Sequence, residues 1–306
     1  MNYVADCVPS DLLPIPPISP ETSLPELVDK PIKILMIHGH GSSSSRLFYK
    51  YRALQPSTRH EILHALHRDV EFHFPNAPIL PAGFEPGMWT WGLGDYRVDR
   101  VPRLQESITY LVRYMEEHGP FDGIIGSSAG ASVAVFVGSL LEGGVLRGGC
   151  EEIKMVTTHP PLKFIISYSG FKMSHVCYRA IYRPKIQTPV MHFIGNLDTY
   201  IPGPLTLKLA RRCVNHRVVY FHGCHYIPRL GFTTMAAAGF ICDCLGGGKG
   251  GGSDVDSQSH SYSHSHNQVG DDGEEDGEQQ QQEQNDDDGE WEWVEDEKMG
   301  DWVAKL

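Results

Sequence analysis

Phe121-Asp122-Gly123-Ile124-Ile125-Gly126-Ser127-Ser128-Ala129-Gly130 is the stretch on which the reading of this chain turns. An apolar run of strand length leads into the pattern G-x-S-x-G, and the helix-like run 131–141 follows at once. A serine hydroxyl is a weak nucleophile until a sharp turn exposes it, backbone N–H groups face it and a histidine reaches it. Glycines two before and two after a serine relieve the crowding of such a turn. Only Ser128 has both in frame, at Gly126 and Gly130, which makes Ser127 its neighbour and Ser128 the candidate.

The segments around this stretch divide unequally. From residue 246 onward there are 3 Lys/Arg and 18 Asp/Glu, out of totals of 26 and 38. Residues 1–245 therefore hold 23 basic and 20 acidic side chains, and the acidity belongs to the tail. Three segments are expected: a proline-rich extension at 1–30, an α/β domain at 31–245, and a disordered acidic Gly/Gln-rich tail at 246–306. Residues 1–30 lack a positively charged apolar signal, and no run approaches the ~18 apolar residues of a membrane span. The seven cysteines are scattered and odd in number, which reads as reduced thiols in an intracellular protein, cytoplasmic or nuclear.

Within the domain, β-branched and aromatic runs at 33–37, 70–74, 121–125, 164–169, 190–194 and 217–221 predict buried strands. Leu104, Ile108, Leu111, Val112 and Met115 share one helical face. Further helices are expected at 46–68 with a break near Pro56, at 203–215 and at 232–244. Strands alternating with helices imply a mostly parallel sheet of six or more strands covered on both faces. In such sheets function gathers in the loops after the strands' carboxyl ends. Two longer segments interrupt the alternation. Residues 78–100 are rich in glycine and proline and contain Trp89, Trp91 and Tyr96, as a lid or binding loop would. Residues 143–161 form a second glycine-rich insertion.

Each candidate catalytic group falls just after a predicted strand. His38-Gly39-His40-Gly41 follows the first, Ser128 the third, Asp198 the fifth and His225 the sixth. The order Ser, Asp, His is that of α/β-hydrolases. On this reading His225 accepts the proton of Ser128 and returns it to the leaving group, while Asp198 holds the imidazole tautomer. The backbone N–H of Ala129 forms half of an oxyanion hole and that of His40 the other half. Competing readings attach to several residues. Asp198 is also a fitting turn or helix-cap residue, with Asp95 and Asp99 as poorer substitutes. His222 competes with His225, and Cys224 beside it is a thiol without an oxyanion donor. His38 and His40 form an H-x-H pair without a third ligand, and Cys242-x-Cys244 has no second pair, so no metal is expected. Trp89 and Trp91 serve equally as core anchors or as acyl contacts.

Taken together, the runs 33–41 and 121–131, Ser169-Gly170-Phe171, His192-Phe193-Ile194-Gly195 with Asp198, and Gly223-Cys224-His225-Tyr226-Ile227-Pro228 resemble the FSH serine hydrolase family of fungal and animal α/β-hydrolases. The resemblance covers about residues 33–244. It implies an esterase or thioesterase without cofactor that uses Ser128, Asp198 and His225, often in fungal polyketide pathways. The substrate is then a small-molecule acyl ester or thioester, the latter including one bound to a carrier protein. Two positions depart from the family pattern, which commonly has Phe-Ser-Gln in place of Ser127-Ser128-Ala129 and Gly-Gly-His in place of Gly223-Cys224-His225. Neither removes a backbone donor, though substrate preference can differ.

The tail supports an alternative of another class. Trp291, Trp293 and Trp302 interleaved with acids suit a segment that docks on a basic, apolar-grooved protein, making the chain a recruitment protein on a hydrolase scaffold. Acyl transfer shares the first half of the hydrolytic reaction and stays open as well. Nucleic-acid binding is not expected, because the domain has no dense basic patch and the tail repels phosphate.

Overall fold

The computed structural model describes residues 30–142, 153, 155–246, 292–296 and 301–305. The expected extension at 1–30 (apart from Lys30), most of the 143–161 insertion and most of the tail lie outside these residues. The chain divides into two units, 1–251 and 252–306.

The first unit holds one parallel sheet of six strands: β1 (Ile32–Ile37), β2 (Val70–His73), β3 (Gly123–Ser127), β4 (Phe164–Tyr168), β5 (Val190–Gly195) and β6 (His216–Phe221). Their spatial order is β2-β1-β3-β4-β5-β6, and every neighbouring pair is parallel. All carboxyl ends therefore lie along one edge. Successive strand residues face opposite sides, and two cores follow. Leu35, Ile37, Ile124, Ile165 and Val190 belong to one, and Ile34, Met36, Ile125, Ile166 and Met191 to the other.

Helices cover both faces. α3 (Leu104–His118) and α4 (Ala129–Glu142) supply the first core. α1 (Ser44–Tyr51), α2 (Gln55–Leu66) and α6 (Gly231–Cys244) supply the second. α3 has the amphipathic face read from its spacing, with Leu104, Ile108, Leu111, Val112 and Met115 all buried. α4 differs: it is buried all round from Ala129 to Leu141, as befits a helix with no wet side. α1 and α2 split near Pro56, which sits in the first turn of α2. α5 (Gly203–Ala210) stops five residues short of the expected end, because Val214 N–H bonds the Ile186 carbonyl at 2.8 Å and draws the chain into an extended pairing. A 3₁₀ helix at Val176–Tyr182 had no periodic signal to announce it.

The 78–100 segment contains neither helix nor strand, yet it is pinned. Isolated antiparallel bridges join Ser42 to Trp89 and Ile79 to Thr90. Trp91 is fully buried in the first core and its indole N–H donates to the His38 carbonyl at 2.7 Å. Trp91 is thus a core anchor, whereas Trp89 is partly buried against the same core.

In the second unit, β7 (Glu292–Asp296) and β8 (Asp301–Lys305) pair antiparallel, with Val294 opposite Val303. Sequence reading placed no element here, since the acids around Trp293-Val294 and Trp302-Val303 obscure their strand propensity.

Candidate active site

The β3–α4 junction holds Ser128, the candidate serine. Ser128 has φ 56°, left-handed for an L-residue, a conformation that costs roughly 1–2 kcal/mol outside glycine. The turn is held by its own N–H, which donates to the Tyr168 carbonyl at 2.8 Å. Both flanking glycines are required by contact. A Cβ on Gly126 would lie 2.5 Å from the Gly130 carbonyl, and one on Gly130 would lie 2.2 Å from the His38 carbonyl. Ser127 has no such backbone, and the frame with Ser128 at the apex follows. Ser128 Oγ bonds no described residue and is not among the buried unpartnered atoms, so it reaches solvent.

At the other end of the crest, His225 Nδ1 lies 2.7 Å from Asp198 Oδ2. A carboxylate only accepts, so Nδ1 carries the proton of this contact. The Asp198 side chain is 1% exposed. Its Oδ1 accepts the N–H groups of Tyr200 and Ile201 at 3.0 and 2.9 Å, which satisfies the buried charge and fixes its rotamer. The Tyr200 ring sits 5.6 Å from that of His225. Asp95 is instead tied to Arg97 at the surface, and His222 is exposed with Asn196 as its neighbour. Asp198 and His225 are therefore in contact, while among the described residues Ser128 hydrogen-bonds neither of them.

The loop after β1 packs against the turn at Ser128. A Cβ on Gly39 would lie 3.2 Å from the Ser127 carbonyl and 3.3 Å from Ser128 Cβ, so this loop runs against the elbow. Among the described residues nothing accepts the N–H of Ala129 or of His40. The His40 imidazole turns away to Thr90 Oγ1 at 2.6 Å, within a network that includes Tyr96. His38 has a different task. Its Nε2 accepts the Ala77 N–H at 3.0 Å, so the ring proton is on Nδ1, which donates to the Gly39 carbonyl at 2.8 Å. Burial pushes this ring down to about 4, against a smaller opposing effect of the Gly39 carbonyl. A neutral ring with both nitrogens engaged is structural. Trp91, Ala77 and Thr90 as partners of the 38–41 loop were not legible in the sequence, because no spacing rule links them to it.

A second buried imidazole differs from His38. Among the described residues, neither ring nitrogen of His192, on β5, is hydrogen-bonded, and Ser167, opposite it on β4, has an unpartnered Oγ as well. Burial, with a smaller push from His216, holds this ring at about 3. Both His38 and His192 titrate near 6.5 when unfolded. The unfolded state therefore binds more protons once the pH drops below about 6.5. Stability is complete above that pH and is lost on the way down through about 4 and 3. Urea midpoints are expected to fall between pH 7 and pH 5, each ring contributing on the order of 2 kcal/mol. His192→Leu should flatten that slope, and an unchanged slope would remove His192 from the explanation.

A doubly covered parallel sheet with a strained serine at a strand-to-helix turn, and a histidine–aspartate pair two and three strands away, defines the α/β-hydrolase class. Among the described residues no helix is long and apolar enough to cross a membrane. The chain belongs to the FSH1 serine hydrolase family, whose sequence profile matches residues 28–236. It is 28% identical over 221 residues to a protein of Schizosaccharomyces pombe named dihydrofolate reductase, covering 66% of this chain and 45% of that protein. It is 33% identical over 129 residues to the mouse esterase OVCA2, covering 41% and 50%. The chain thus spans about half the length of the curated relatives it matches. A Zea mays acyl-protein thioesterase 2 structure superposes with a TM-score of 0.50 at 14% identity, covering 70% of this chain and 94% of that one, a likeness of fold.

Proposed function

We propose that this protein hydrolyses carboxyl esters or thioesters through an acyl-enzyme on Ser128. The contact between His225 Nδ1 and Asp198 Oδ2 supports the reading most directly, because it leaves Nε2 basic on the same sheet edge as the Ser128 hydroxyl. Nε2 takes the Ser128 proton as Oγ bonds the substrate's carbonyl carbon. The N–H groups of Ala129 and His40 hold the resulting oxyanion, aided by the amino end of α4. Collapse breaks the bond to the leaving oxygen or sulfur, which departs with the imidazolium proton. Water then repeats the sequence and frees the carboxylic acid.

No cofactor enters these steps. The family assignment supports an acyl ester or thioester as substrate, and an acyl thioester on a carrier protein, as in polyketide assembly, would meet the same chemistry. A fluorophosphonate probe tests the assignment. It is expected to label the protein at Ser128, and p-nitrophenyl esters compared with acyl thioesters then rank the leaving groups. An unlabelled wild type that turns over neither substrate would sink the reading.

A further inference from the structure

A second serine on the crest has the same strained backbone as Ser128. Ser169, the residue after β4, has φ 51°. Left-handed backbone on a non-glycine residue persists only where its surroundings over-determine it. Here the surroundings can be named. Ser169 N–H is fixed to the Phe193 carbonyl at 3.0 Å, which holds the residue to β5. The turn then sends Gly170 and Phe171 across the first turn of α4. Phe171 N–H donates to Ser132 Oγ at 3.0 Å, and the Phe171 ring is buried in the first core. Gly170 packs so closely that a Cβ there would lie 3.0 Å from Ala131 Cβ and 2.3 Å from Ser167 Oγ. Ser132 completes the link, since its own N–H donates to the Ser128 carbonyl at 3.2 Å. Tyr168, just before Ser169, accepts the Ser128 N–H.

We propose that Ser169 is a positioning residue, whose left-handed turn braces the first turn of α4 through Phe171 and Ser132 and so aims the Ala129 N–H at the developing oxyanion. It acts through its backbone conformation and not through its hydroxyl. The proposal rests on the hydrolase reading above and assigns a role to the Ser169-Gly170-Phe171 motif that the triad leaves unexplained.

Substitutions separate backbone from hydroxyl. Glycine and asparagine accept left-handed backbone, whereas valine resists it. Ser169→Gly and Ser169→Asn are expected to keep kcat within about threefold of wild type. Ser169→Val should lower kcat by about 10²-fold, the scale of a 1 Å misplacement. KM should stay within about threefold, because oxyanion bonds form only in the transition state. Fluorophosphonate labelling should slow in the same proportion. Ser132→Ala removes only the Phe171 anchor, carries the test if the valine variant does not fold, and should cost about tenfold in kcat. The idea is overturned if Ser169→Gly is as damaged as Ser169→Val, which would make the hydroxyl the active element. It is equally overturned if Ser132→Ala and Ser169→Val both keep wild-type kcat. A wild type that labels while its variants match it rejects only the brace. A wild type that neither labels nor turns over rejects the hydrolase reading, and the brace with it.

Discussion

Ser128→Ala is expected to lower kcat for ester or thioester hydrolysis by about 10⁶-fold, the scale on which removing a triad nucleophile acts. The loss belongs to chemistry and not to folding. Alanine at φ 56° retains the strain of the wild-type turn, and the Ser128 N–H still reaches the Tyr168 carbonyl. The thermal midpoint should therefore stay close to that of the wild type, and circular dichroism should be unchanged. Fluorophosphonate labelling should vanish. Ser127→Ala is the control for the frame, because its position is not the strained one and its activity should survive. If Ser127→Ala were the dead variant, the assignment of the elbow would be wrong by one residue.

Asp198→Asn is expected to cost about 10⁴-fold in kcat with little change in KM, the effect of forcing the wrong histidine tautomer. The local bonds dictate how. Tyr200 and Ile201 N–H groups point at Oδ1, so the asparagine carbonyl must take that place. Its amide N–H₂ then faces His225 Nδ1, which is obliged to accept, and the ring proton moves to Nε2. The base toward Ser128 is lost while the loop keeps its shape. Kinetics across pH measure this directly, and no rise in pH should restore the variant. Activity within tenfold of wild type would mean that Asp198 is only a turn residue.

The parallel sheet was legible because β-branched runs at strand length alternate with helix-length segments, and the six strands lie within two residues of their expected bounds at each end. The proximity of Asp198 to His225 followed from strand-end placement, since parallel neighbours deliver consecutive loops to one edge. Other features depend on contacts between distant segments. For Trp91, in a glycine-rich stretch, the sequence left core anchor and acyl contact equally open, and the bond of its indole to the His38 carbonyl decides for the core. His192 lies in a run that reads as ordinary core strand, and only packing leaves its ring without partners among the described residues. Ser169 has no flanking glycine pattern of the kind that marked Ser128, so its backbone could not be foreseen. The short α5 reflects a tertiary pairing of Val214 that overrides local propensity.

The stitching around His38 bears on which parts of the 78–100 loop are free to vary. Its ring and carbonyl join Gly39, Ala77 and Trp91, so the 38–41 segment is bonded both to the residue before the 78–100 loop and to a residue within it. The loop's tip is built otherwise: Phe84 N–H turns back to Pro81, Met88 N–H turns back to Glu85, and Phe84 is exposed beside Gly41. Under the proposed hydrolase reading, changes at 82–83 and 85–87 would leave the bonds of His38 in place, whereas Phe84, edge-on to the His40 ring at 5.5 Å, couples the tip to the 38–41 loop.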